Sequence, residues 1–302
     1  MDSLKNKRIL VTGGKGYLGT RLVDRLKSEG AEVYTLSLEP SEDDREYQVD
    51  ICNAKQVEAM VSKIRPDYVY HLAASLDRQR DFDRYEQIMA INVTGTFNLL
   101  KALQQINYTN FIFTSSSEVY GNNKSPFLES MALRSASPYS LSKVQGEHLI
   151  MTFSDVYDKN YTILRLFNFY GENMPENFFI PQIISALERN ENFEMTKGEQ
   201  ERDFLYVEDI IQALILAAKN SNSHRNIFNV CSGEGIALKQ LAEEISQNMP
   251  NKGKVSYGAI PYRQNEIWEM IGDNSKIKNL LGFKVNYSLQ QGIKLCIENK
   301  KE

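Results

Sequence analysis

Ile9-Leu10-Val11-Thr12-Gly13-Gly14-Lys15-Gly16-Tyr17-Leu18-Gly19 decides how the rest of this 302-residue chain is read. An apolar, β-branched run gives way to three glycines in a GxxGxxG spacing, and Leu18, Leu22, Val23 and Leu26 then recur at helical intervals. In a strand–turn–helix each glycine has a separate duty. Gly13 permits the tight turn, Gly16 lets the backbone approach a pyrophosphate, and Gly19 lets the helix pack on the sheet. The helix start presents N–H groups to an anion. Gly13, Gly16, Tyr17, Leu18 and Gly19 are therefore candidates for holding a dinucleotide.

Working outward, the first half alternates β-branched runs with amphipathic stretches, the pattern of βαβ units and a parallel sheet. Strands are expected at 8–12, 32–36, 68–72, 110–114 and 161–166, with helices at 16–28, 54–63, 92–105 and 137–156. Right-handed crossovers put helices on both faces and open one crevice beyond the strand ends. The expected class is α/β, a Rossmann-type doubly wound parallel sheet formed by residues 1–168 plus about 203–232. Beyond Tyr170 the pattern becomes irregular, with a helix near 181–189, a strand and helix over 202–218, and a strand at 226–230. Residues from about 169 to 202 and from 233 to 302 then form a smaller, discontinuous lobe over the crevice.

Composition narrows the classes. The chain is 42% hydrophobic and 25% charged with a net charge of -4, which speaks against nucleic acid or an anionic membrane as partner. No run reaches the ~18 apolar residues of a membrane span, and the N-terminus lacks a signal peptide's apolar stretch. Cys52, Cys231 and Cys296 have no CxxC spacing and read as reduced thiols of a cytoplasmic protein. Three histidines, His71, His148 and His224, are too few for a histidine-rich metal site, so no metal is expected.

The second strand should end on a residue facing the adenosine ribose, where an acidic side chain favours NAD. That position falls on Ser37, and Lys15 is available to pair with a 2′-phosphate, which points to NADP as cofactor over NAD. Glu39, two residues on, is the alternative acidic partner. Asp50 and Ile51 are placed beside the adenine.

Tyr139 and Lys143 stand four apart near the start of the long helix, hence on one face. A tyrosine of ordinary pKa, about 10, is a poor base at neutral pH, and a neighbouring ammonium favours its phenolate. Tyr139 can then move the proton of a hydroxyl group. Thr114-Ser115-Ser116-Ser117-Glu118-Val119-Tyr120-Gly121 follows a core strand and should open into the same crevice.

TGGKGYLG, Asp50-Ile51, HLAA at 71–74, INVTGT at 91–96, SSSEVYG, SPYSLSK, RDFLYVEDI from Arg202 and NVCSG from Asn229 occur in that order over nearly the whole chain. Together they resemble the extended short-chain dehydrogenase/reductase family, specifically its nucleotide-sugar epimerases, dehydratases, decarboxylases and reductases. The resemblance implies a nucleotide-diphosphate sugar as substrate, with hydride exchanged at a sugar carbon, usually C4. It places Ser116 on the reacting hydroxyl beside Tyr139, and Lys143 on the nicotinamide ribose. Leu72, Ala73 and Ala74 would line the cofactor, and Asn92 would support Lys143 through water. Ser117, Asn168, Asn177, Arg202 and Arg263 would contact substrate, the arginines on the diphosphate. Arg263 and Glu266 match a family Arg-x-x-Glu. The family commonly dimerises through the helices at about 86–105 and 137–156, so a homodimer is expected.

Glu118 separates the reactions within this resemblance. The dTDP-glucose dehydratases carry a hydroxyl residue, Asp and Glu in this loop, the Asp as acid at O6 and the Glu as base at C5. Here Ser117 replaces that Asp while Glu118 remains, an order similar to GDP-mannose dehydratases and UDP-glucuronate decarboxylases. The decarboxylases differ at RDFLYVEDI, and 4-epimerases usually have an uncharged residue in place of Glu118. The leading expectation is epimerase/dehydratase-type chemistry at C4. An NADPH-dependent 4-ketoreductase comes next, and a non-catalytic NADP(H)-sensing module last.

Overall fold

The computed structural model describes residues 2–77, 80–249, 253–263 and 265–299. Strand β1 (Arg8–Thr12) buries Ile9, Leu10 and Val11 completely, on alternating faces. A strand apolar on both faces belongs inside a sheet covered on both sides. Its companions are β2 (Glu32–Ser37), β3 (Glu46–Gln48), β4 (Tyr68–His71), β5 (Asn110–Ser116) and β6 (Tyr161–Leu166). Strands β7 (Asn168–Tyr170), β8 (Phe193–Met195) and β9 (Glu201–Tyr206) leave this sheet, and β10 (Asn226–Val230) returns to it. The order is β10-β6-β5-β4-β1-β2-β3, parallel throughout. The order reverses between β1 and β4, and a crevice opens where their carboxyl ends, Thr12 and His71, lie in register.

Helices cover both faces. On one, α1 (Tyr17–Ser28) packs on α7 (Val207–Lys219), sharing a core with Val11, Tyr70 and Leu164. On the other lie α2 (Ala54–Ile64), α4 (Gly95–Leu103) and α5 (Pro138–Tyr157). The helix expected from residue 92 begins earlier, as α3 (Tyr85–Met89), and runs through a π-helical turn (Ala90–Thr94) into α4. Its first turns bury only Ile88 amid Arg84 and Glu86, so they carry little hydrophobic periodicity.

A second sheet joins β7 and β9 to β11 (Gly235–Ala237) and β13 (Glu269–Met270), while β12 (Val255–Tyr257) pairs with β8. Helices α6 (Phe179–Glu188), α8 (Leu238–Gln247) and α10 (Leu289–Glu298) enclose a separate apolar core around Ile183, Leu241 and Ile293, and α9 (Ser275–Leu281) returns to β10. Asp203 ties the two sheets together. Its wholly buried carboxylate on β9 accepts the Ser232 amide (2.8 Å), the Ser232 hydroxyl (2.7 Å) and the Gly233 amide (2.9 Å), all just after β10. Asp203→Asn turns an acceptor into a donor facing these groups and should lower the unfolding free energy by about 1–3 kcal/mol in a urea melt. An unchanged melt would contradict this account of the junction.

Candidate active site

The glycine turn is built by exclusion. Gly13 has φ +72°, and a Cβ there would stand 2.9 Å from the Ala73 nitrogen. A Cβ on Gly19 would lie 2.1 Å from the Gly13 carbonyl oxygen, so helix and turn approach as only glycine allows. No side chain caps the start of α1, which leaves its first N–H groups for an anion. From this turn a cleft of about 620 Å³ runs past Lys15, Ser37 and Asp50–Ile51, along Leu72, Ala73 and Ala74, to Tyr139 and Lys143. Its length, its apolar walls and the turn at one end fit a dinucleotide. One expectation shifts here. Lys15 donates to the Pro40 carbonyl (2.6 Å) and lies 3.6 Å from the Glu46 carboxylate, so its charge is already matched on the β2–β3 rim.

His71, at the end of β4, is fully buried between two hydroxyls. Burial, helped by the charge of Lys143, pushes its pKa down to about 3, so the ring is neutral. The hydrogen bonds then run in one direction. Thr96 donates to the Asn92 carbonyl (2.6 Å) and so accepts from Nε2 of His71 (2.9 Å). Nδ1 accepts the Thr12 hydroxyl (2.7 Å), whose oxygen accepts the Ala73 amide (3.2 Å). This chain fixes β1, β4 and the π-helical turn relative to each other. Asn92 itself is buried and is not among the residues lining the cleft. Its side chain accepts the Ser75 amide (2.7 Å) and donates to the Ser142 hydroxyl (2.8 Å), and Ser142 donates to the Tyr139 carbonyl (2.7 Å). Asn92 therefore steadies α5 directly.

Ser137 caps α5 in a reciprocal box with Ser140, and Pro138 sets its first turn, so Tyr139 projects from a fixed helix start. Tyr139 and Lys143 are both 3% exposed. The Lys143 ammonium donates to the Thr114 carbonyl (2.9 Å), 4.8 Å from the Phe113 ring centroid and 5.9 Å from that of Tyr139. Burial, opposed by the charge of Glu147, lowers its pKa to about 8. Beside it, Ser116 ends β5 and its oxygen accepts the Glu118 amide (3.2 Å).

A second cleft, of about 420 Å³, holds Ser116, Ser117 and Glu118 together with Asn168, Asn177, Arg202 and Arg263. Ser116, Leu166, Phe167, Phe169 and Phe178 line both clefts, which therefore meet at Ser116. Within it, Arg202 pairs with Glu266 (2.8 Å), Asn168 donates to the Asp203 carbonyl (3.2 Å), and Ser117 donates to the Met270 sulfur (3.3 Å). Sequence reasoning missed Arg80, which lines this cleft and donates to the Asn265 carbonyl. It sits only six residues after the HLAA motif, in a polar run without periodicity. Among the described residues no cluster of three or more His, Cys, Asp or Glu side chains is arranged to hold a metal, and no helix is long and apolar enough to cross a membrane.

A dinucleotide-type glycine turn leading to a buried Ser–Tyr–Lys set defines an NAD(P)-dependent enzyme of the short-chain dehydrogenase/reductase type. The model of the NAD dependent epimerase/dehydratase family matches residues 9–231, and the chain belongs to that family. It is 27% identical over 282 residues to the GDP-6-deoxy-D-talose 4-dehydrogenase of Aggregatibacter actinomycetemcomitans, covering 91% of each chain. It is likewise 27% identical to the dTDP-D-glucose 4,6-dehydratase of Mus musculus, covering 97% of this chain and 88% of that one. The UDP-glucose 4-epimerase of Thermotoga maritima, solved with UDP-glucose, superposes with a TM-score of 0.86 at 28% identity, covering 96% of this chain and 97% of that one. The chain is thus an NAD(P)-dependent enzyme of the nucleotide-sugar epimerase/dehydratase group.

The depressed pKa of Lys143 gives a pH prediction. The ammonium is present below pH 8 and is lost as pH rises through about 8, not through the ordinary ~10.4. Turnover should fall along that limb, and a profile flat to pH 10 would contradict the reading.

Proposed function

We propose that the chain performs redox-neutral chemistry at C4 of a nucleotide-activated sugar, by epimerisation or 4,6-dehydration. The junction of the two clefts at Ser116, beside Tyr139 and Lys143, carries this reading. Bound nicotinamide supplies the acceptor and donor of the C4 hydride. Tyr139 takes the proton of the 4-hydroxyl as its oxygen becomes a carbonyl, Ser116 orients that oxygen, and Lys143 favours the phenolate. Arg202 and Arg263, with Asn168 and Asn177, fit the nucleotide diphosphate. In the dehydration, Glu118, which lines the second cleft, removes the C5 proton once C4 is a ketone. Because the Ser117 hydroxyl is turned to Met270, Glu118 is also the group suited to return a proton to a departing 6-hydroxyl.

NADP was the expectation from Lys15 and Ser37. The engagement of Lys15 by Glu46 instead supports a free 2′-hydroxyl and hence NAD. A second reading is net oxidoreduction of a 4-keto sugar, favoured by the dehydrogenase among the relatives. A homodimer through α4 and α5 is supported by the exposed Phe97, Val156 and Tyr157, and a reducing, cytoplasmic setting by the free cysteines.

The test is incubation with UDP-, dTDP-, GDP- and CDP-sugars without added cofactor. Loss of one water, or an isomer of equal mass, is expected, and Tyr139→Phe should reduce either by at least about 10²-fold. Turnover confined to keto-sugars with added NADPH would overturn the reading, and NADP recovered from the protein would overturn NAD.

A further inference from the structure

Under the Ser116–Glu118 turn lies a buried ion pair to which the proposed chemistry gives no part. Glu147 is 0% exposed and Arg165 2%. The guanidinium grips both carboxylate oxygens, from Nε to Oε1 (3.0 Å) and from Nη2 to Oε2 (2.7 Å). Oε1 also accepts the Ser115 hydroxyl (2.5 Å). The remaining nitrogen of Arg165, Nη1, donates to the Tyr120 hydroxyl (2.8 Å) and to the Glu129 carbonyl (3.2 Å), and Tyr120 donates to Asn229 Oδ1 (2.7 Å). Ser115 comes immediately before Ser116, and Tyr120 closes the turn after Glu118. One ion pair therefore holds both ends of the segment carrying two proposed catalytic groups.

The same carboxylate is carried one helical turn beyond the lysine. Tyr139, Lys143 and Glu147 follow at four-residue intervals on α5, which lines them along one face. Around the ammonium, β5 contributes the Thr114 carbonyl and the Phe113 ring, and β4 contributes His71, which is neutral. Glu147 supplies the opposing negative charge, and Arg165 on β6 shares it. Such pairs are often replaceable by apolar residues without loss of stability.

We propose that Glu147 is a positioning residue: its carboxylate, shared with Arg165, clamps the Ser116–Glu118 turn and keeps Lys143 protonated beside Tyr139. Its catalytic meaning rests on the C4 chemistry proposed above, but its effect on Lys143 does not.

The experiment is a pH titration of carbon-13 at Cε of the lysines by NMR, with Lys143 identified by the signal missing in Lys143→Met. The wild type is compared with Glu147→Gln and with the neutral pair Glu147→Gln/Arg165→Gln, which leaves no guanidinium buried without its carboxylate. The Lys143 midpoint should fall by about one pH unit in the neutral pair and further in the single variant, where Arg165 adds its repulsion. The basic limb of turnover should move with it. A folded neutral pair whose midpoint equals the wild type's would overturn the proposal, even if it melted at a lower temperature. A shifted midpoint in a protein inactive on every sugar would uphold this inference and refute the C4 reading.

Discussion

A positive charge buried at the end of a β-strand is the constraint on which this site depends. The Lys143 ammonium sits where β5 stops, against the Thr114 carbonyl and beside two aromatic rings. Removing an ammonium from water costs several kcal/mol unless its surroundings compensate. Compensation here comes from elements far apart in sequence. The capped start of α5 fixes the helix, Asn92 grips it through Ser142, and Glu147 provides the counter-charge. His71 contributes by remaining uncharged. Because its ring is neutral, it links Thr12 to Thr96 without placing a second cation near the first.

That arrangement explains why two clefts meet where they do. The dinucleotide cleft follows the strand ends from the glycine turn to Lys143, as the strand reversal between β1 and β4 requires. The second cleft exists because β7 and β9 leave the main sheet and return through Asp203, which anchors the loop after β10. Arg80, Arg202 and Arg263 face Glu118 across it, with Glu266 on Arg202. Among the described residues, three guanidiniums against two carboxylates leave a positive balance suited to a diphosphate.

What was legible in the sequence shares one property: the physical demand is local. Gly13 is dictated by its left-handed backbone at φ +72°, Gly19 by steric contact with Gly13 and Gly14 in the same turn, and the Tyr139–Lys143 pair by one turn of helix. Parallel strands announce themselves as buried apolar runs, as in Tyr68–His71 and Asn110–Ser116. What stayed hidden depends on pairing across the fold. Glu46 reaches Lys15 only because the three-residue β3 adds to the sheet edge, and nothing in its half-exposed sequence marks it as a strand. Glu147 meets Arg165 because α5 packs beside β6, and Arg80 reaches the second cleft from a polar loop. The π-helical turn at Asn92 follows no side-chain periodicity that would reveal it.

The central claim, that hydrogen leaves C4 of the sugar and is given back, is tested most directly with nucleotide sugars deuterated at C4. After turnover by the holoenzyme, the label should be recovered in the product either at C4 with inverted configuration or at C6 where water has been lost. A product altered elsewhere, with deuterium still at C4 in its original configuration, would contradict the account.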